Sequence, residues 1–124
     1  MIVDTSVILA IFFKEKHFDW ATEQLNLHAN DLLMSTVNLA EVLILINDKQ
    51  PKLSKFLEEQ IFNSGIKFIP PDIQQAQIAA LARLKFPLNL GDCFVYALAV
   101  QEDSPILTID RDFKKVDRLV LLPD

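Results

Sequence analysis

Apolar and polar positions fall into blocks of two periods that follow one another from end to end of the chain. Met1 to Val3 reads as a short strand, and Val7 to Phe13 as a buried helix for which Ser6 is a candidate cap. His17 to Leu27 carries a more polar helical pattern. Leu32 to Ser35 predicts a second strand, and Asn38 to Asn47 a strongly apolar helix. Pro51 suits the start of a further helix, which ends near Asn63 and is closed by Gly65. Ile66 to Ile69 predicts the third strand. Pro70-Pro71-Asp72 then breaks the chain and caps a helix on which Ile73, Ala76, Ala80 and Leu84 share a face. Gly91-Asp92 introduces another helix to about Gln101. Pro105 precedes the strand Ile106 to Ile109, and Leu119 to Leu122 is the last strand candidate.

Strands separated by helices of this length imply an α/β fold, a parallel sheet with right-handed crossovers. No repeat, linker or low-complexity segment divides the 124 residues, so residues 1–124 form a single domain. Only two glycines occur, which excludes a Gly-rich phosphate cradle; both the dinucleotide fingerprint and the P-loop are missing. A hydrophobic content of 51% suits a sheet covered on both faces. It also exceeds what one small core requires, so a symmetric homodimer centred on Phe, Leu and Ile side chains is expected, with a second apolar groove for a partner helix. No apolar run approaches the roughly 18–20 residues of a membrane helix. With no basic leader and with Cys93 as the only cysteine, a reducing cytoplasm is the expected location.

Charge changes this picture little in total and a great deal in placement. A net charge of −5 argues against a nucleic-acid partner, but four acids occupied by metal would leave thirteen against twelve basic residues. Four acids stand alone in apolar surroundings. Asp4 is the only charge in MIVDTSVILAIFF, Glu41 the only one in LAEVLILI, and Asp92 the only one in FPLNLGDCFVYALAV. Asp110 ends the apolar run PILTID. Each has an ordinary reading: Asp92 as a helix cap, Asp110 as a turn starter beside Asp112, Asp4 as a cap or Asx turn. Glu41 caps nothing. In an open parallel sheet ligands bind beyond the carboxyl ends of the strands, so one shared crevice accounts for all four better than separate coincidences.

A cluster of hard oxygen ligands selects Mg²⁺ or Mn²⁺ over zinc. His17 and His28 lack a ligand spacing, and Cys93 in its apolar run reads as a small core residue. Carboxylate-held metal without a protein nucleophile points to phosphodiester hydrolysis by an activated water.

The segments IVDTS, NLAEV, LGDCFVYALA and LTIDRDF, in this order and spacing, resemble the PIN-domain ribonucleases, and most of all the VapC-type toxins of toxin–antitoxin pairs. The resemblance covers nearly the whole chain. It implies a three-layer α/β/α fold and a Mg²⁺- or Mn²⁺-dependent endoribonuclease that leaves a 5′-phosphate and a 3′-hydroxyl. It further implies a dimer held in check by a small antitoxin. The four acids of the family fall on Asp4, Glu41, Asp92 and Asp110, with Asp4, Asp92 and Asp110 as metal ligands and Asp112 competing with Asp110. Ser6 matches the hydroxyl beside the first acid, and Asn38 is placed to add a polar contact. Arg111, Lys114, Lys115 and Arg118 would share one face if their segment is helical, suited to RNA phosphates or an acidic antitoxin tail, or simply to solvent.

Two other classes compete. A catalytically silent PIN-fold binding module would keep the architecture without the metal. A haloacid-dehalogenase-like phosphatase would need a second Asp two residues after the first, where this chain has Ser6. A response-regulator receiver would need an early acid pair and a lysine partner, and neither arrangement is present.

Overall fold

The computed structural model describes all 124 residues, Met1–Asp124. Five short strands are β1 (Ile2–Val3), β2 (Leu33–Ser35), β3 (Lys67–Ile69), β4 (Ile106–Leu107) and β5 (Val120–Leu121). The helices are α1 (Thr5–Phe12), α2 (Phe18–Leu27), α3 (Thr36–Lys49), α4 (Ser54–Phe62), α5 (Ile73–Lys85) and α6 (Leu90–Glu102). A turn of 3-10 helix follows at Arg111–Lys115. All neighbouring strands run parallel, in the order β3-β2-β1-β4-β5.

Successive side chains of a strand point to opposite faces, and β1 shows it in two residues. Ile2 and Ile106 join a core with α5, α6 and Phe113 on one side of the sheet. Val3, Met34 and Leu107 join a second core with α1 to α4 on the other. That is the expected three-layer α/β/α arrangement. The chain steps outward from β1 through β2 to β3, then returns to the far side of β1 for β4 and β5. The reversal leaves a switch point between the carboxyl ends of β1 and β4, where open sheets of this class hold their ligands.

Helix starts are set by short polar side chains that accept orphan backbone N–H groups. Ser35 caps α3 through the Val37 N–H at 3.1 Å. Asp72 caps α5 through the Gln75 N–H at 2.8 Å, as its position after two prolines predicts. Gly65, at φ 85°, supplies the left-handed residue of the turn between α4 and β3.

Several expected boundaries move. The helix after Pro51 begins only at Ser54, because Pro51 to Leu53 form a turn. His17 lies outside α2 in a left-handed conformation. Ser6 does not cap α1; the cap position belongs to Asp4 and Ser6 sits inside the helix. The face of Ile73, Ala76, Ala80 and Leu84 looks outward, with Ile73 80% and Leu84 83% exposed. The buried side of α5 is Gln75, Ala79 and Ala82; the two alanines are small enough to let α5 lie close against α6, and Gln75 reaches Gln101 of α6 at 2.7 Å.

Candidate active site

The residue after β1 is Asp4, whose backbone N–H donates to the Leu107 carbonyl at 3.0 Å and whose side chain is almost fully buried. The carboxylate does not cap its own helix. Its Oδ2 instead accepts two hydroxyl hydrogen bonds of 2.7 Å, from Ser6 and from Thr108. Each hydroxyl is oriented by a backbone donor from the segment after β4: the Ile109 N–H donates to Ser6 Oγ at 3.1 Å, and the Asp110 N–H to Thr108 Oγ1 at 3.0 Å. Asp4 Oδ1 is left without a protein donor.

Asp110 starts the 3-10 turn and accepts the Asp112 N–H on Oδ1 at 2.9 Å, so its reading as a turn former is correct for one oxygen. It is partly buried and acts electrostatically on Asp4 and Asp92, whereas Asp112 is exposed. The inward acid of this turn is therefore Asp110. Phe113, fully buried in the α5–α6 core, anchors the turn.

Glu41 sits in α3, which leaves directly from the end of β2. Its Oε1 accepts from Thr5 Oγ1 at 2.8 Å and from Asn38 Nδ2 at 2.9 Å. Asn38, fully buried, also donates to the Gly91 carbonyl at 3.1 Å and retains a buried Oδ1 with no donor. Asp92 is not the cap of α6. Asn89 is, accepting the Asp92 N–H at 2.9 Å, which leaves the Asp92 carboxylate free of any protein hydrogen bond.

The four carboxyl groups feel one another. Burial raises the pKa of Asp4, and the charges of Asp110 and Glu41 add to the rise against the two hydroxyl donors. Asp92 is pushed up to about 7, first by burial and then by Asp4 and Asp110. No lysine or arginine answers these charges, since the single ion pair of the protein joins Arg118 to Asp103 elsewhere. As the side chains stand, no three of the acids are grouped closely enough to hold a metal ion together, and none of them lines any of the five surface cavities.

The donor chemistry is of the kind a divalent cation takes. All the donors are hard oxygens, each acid has at least one oxygen without a protein donor, and the burial and then the mutual repulsion that raise Asp4 and Asp92 are what a cation offsets.

Arg111, Lys114 and Lys115 lie exposed on the 3-10 turn. Arg118 does not continue their face. The turn ends at Lys115, and Arg118 folds back to donate to Asp103 Oδ1 at 2.9 Å and to the Ala99 carbonyl at 3.2 Å. Thr5, Thr108 and Gly91 also belong to the site. A threonine in an apolar strand reads as an ordinary β former, and a glycine before Asp92 reads as a helix boundary, so neither stood out.

The PIN domain sequence model matches residues 1–119. Ribonuclease VapC42 of Mycobacterium tuberculosis is 32% identical over 126 residues, covering 94% of this chain and 95% of its own length. Among solved structures, VapC20 of M. tuberculosis, a toxin that cleaves the sarcin-ricin loop, superposes with a TM-score of 0.83 at 15% identity over 98% of both chains. VapBC2 of Rickettsia felis, bound to a DNA fragment from its promoter, gives 0.80 at 18% identity over 99% of this chain and 98% of its own. The structural likenesses bear on the fold, and the family match and the VapC42 identity bear on descent: this chain belongs to the PIN-domain family, among its VapC ribonucleases.

Proposed function

We propose that the protein is a divalent-metal-dependent endoribonuclease, the toxin of a toxin–antitoxin pair that acts in the cytoplasm. The observation that carries the reading is the set of four carboxylates, each with a free oxygen and none with a cationic partner. Asp4, Asp92 and Asp110 would hold Mg²⁺ or Mn²⁺, which when bound makes a water more acidic and offsets charge on the scissile phosphate. Ser6 and Thr108 occupy Oδ2 of Asp4 and so leave Oδ1 without a protein donor. Glu41, with Oε1 already taken by Thr5 and Asn38, has Oε2 to orient the attacking water and receive its proton. Attack at phosphorus with departure of the 3′-oxygen leaves a 5′-phosphate and a 3′-hydroxyl.

The partners follow the same reasoning. Relatives named as toxin–antitoxin complexes support a small antitoxin as the natural inhibitor. A groove of about 400 Å³ lined by Ile8, Phe12, Leu25 and Ile61 suits an apolar antitoxin segment, and a basic antitoxin side chain would plug the acids. The outward apolar face of α5 suits a homodimer. No helix is long and apolar enough to cross a membrane.

The test is cleavage of RNA by purified protein with Mg²⁺ or Mn²⁺, followed by EDTA and by Asp4→Asn and Asp92→Asn. Loss of cutting in all three supports the assignment. Undiminished cutting in EDTA, or in either variant, would refute it.

A further inference from the structure

Gly91 occupies the second position of α6, where glycine is a poor helix former. Its backbone does not need glycine, because the only positive-φ glycine is Gly65. Space is the reason. A Cβ built on Gly91 would overlap Oε1, Oε2 and Cδ of Glu41, so the Glu41 carboxylate lies against the first turn of α6 in room that only glycine leaves. From the other side Thr5 and Asn38 both hold Oε1. The Asn38 amide also grips the Gly91 carbonyl, so one buried side chain ties the acid of α3 to the backbone of α6.

We propose that Gly91 and Asn38 are positioning residues for Glu41. Gly91 supplies the clearance, Asn38 supplies the clamp, and together they hold the carboxylate in one pose, with Oε1 hydrogen-bonded and Oε2 packed nearest Gly91. The proposal rests on the assignment of the four acids to RNA hydrolysis, in which Glu41 handles the proton of the attacking water.

Gly91→Ala is the direct test. The methyl meets the end of a flexible side chain, so Glu41 swings aside while the fold and the melting temperature stay close to wild type. The kcat for RNA then falls about a hundredfold, the scale of an ångström-sized misplacement, with KM nearly unchanged. In a Glu41→Asp background the same substitution costs far less, because the shorter side chain stops short of the methyl. A second readout needs neither metal nor RNA. In the metal-free wild type both side-chain amide hydrogens of Asn38 are protected from solvent exchange in NMR spectra; Gly91→Ala exposes the one that pairs with Glu41 and leaves the one on the residue 91 carbonyl protected. A folded Gly91→Ala protein with wild-type kcat, or an equal loss in both backgrounds, would overturn the proposal. A wild-type chain that does not cut RNA would refute the nuclease assignment, whereas unprotected Asn38 hydrogens in the wild type would refute the seat of Glu41 whatever the activity.

Discussion

Thr108 donates its hydroxyl hydrogen to Oδ2 of Asp4 at 2.7 Å across 104 residues of sequence, joining the end of β4 to the end of β1 at the switch point of the sheet. A buried carboxylate stays ionised only where donors or cations support it, and Thr108 with Ser6 supplies that support from the protein side. Thr108→Val keeps the shape and removes the hydroxyl. It strips one donor from Asp4 and one acceptor from the Asp110 N–H. The expected loss is about 1–3 kcal/mol at neutral pH, the usual cost of unsatisfying buried polar groups. Urea unfolding reads it as a lower midpoint at unchanged slope. An unchanged midpoint would show that Asp4 does not depend on Thr108.

The raised carboxyl groups make a pH prediction for the metal-free protein. Asp4 and Asp92 have folded-state pKa values above the ordinary 3.8, with Asp92 at about 7. The stability they contribute is complete at acid pH and is lost as the pH rises toward and through 7. The Met1 amine, lowered by burial, works in the opposite sense near pH 8, so the clean comparison is with Asp92→Asn. In EDTA the variant should melt above the wild type at about pH 8, with the gap closing toward about pH 5 as Asp92 protonates. A gap of constant size across that range would contradict the shift.

Metal should reverse that order. A cation that binds only the folded state adds stability by mass action, and the wild type has one more carboxylate to hold it. Raising Mn²⁺ into the millimolar range is therefore expected to lift the melting temperature of the wild type and to lift Asp92→Asn or Asp4→Asn far less. Equal shifts in all three would place the cation elsewhere.

The sequence was most legible where local chemistry conflicted with its surroundings. Asp4, Glu41 and Asp92 stood out because each is the only charge in an apolar segment and Glu41 has no local use there, and all three take part in the electrostatic cluster. The order of strands and helices was legible from periodicity alone. Choosing between Asp110 and Asp112 was not, because two acids two residues apart in a turn are distinguished only by which one packs inward. The outward face of α5 misled for a related reason: periodicity marks an apolar stripe without saying whether the domain itself covers it. Thr108 and Gly91 act through partners 104 and 50 positions away, and no local pattern records such a contact.

Phe113 carries the stability of the Asp110 turn. Its ring is fully buried among α5, α6 and β4 while its neighbours on the turn are exposed. Phe113→Ala should destabilise the protein by about 3–5 kcal/mol through lost transfer and cavity terms. The loosened turn should also weaken Mn²⁺ binding in calorimetry under conditions where the variant is still folded. Wild-type Mn²⁺ affinity in the folded variant would show that Asp110 is held by something other than this anchor.

The basic residues after Asp110 divide into two groups with different expected roles. In a 3-10 turn residues three apart eclipse, so Arg111 and Lys114 stack on one side with Lys115 beside them, all exposed and directly following an acid of the site. An RNA strand brought to the acids passes within reach of them, and contacts of this kind weaken with salt as counterions are released. Each phosphate contact removed should lower the slope of log affinity against log salt by about 0.7 for a single strand. The triple substitution Arg111→Ala, Lys114→Ala, Lys115→Ala is therefore expected to flatten the salt dependence of binding to a non-cleavable RNA by about two units, from three contacts at that value. Arg118→Ala should leave it unchanged. Arg118 is turned toward Asp103, itself 92% exposed, and a surface pair of that kind is worth at most about 1 kcal/mol. Filter binding across a salt series separates the two, and a slope that drops for Arg118→Ala while the triple variant keeps the wild-type value would reverse the assignment.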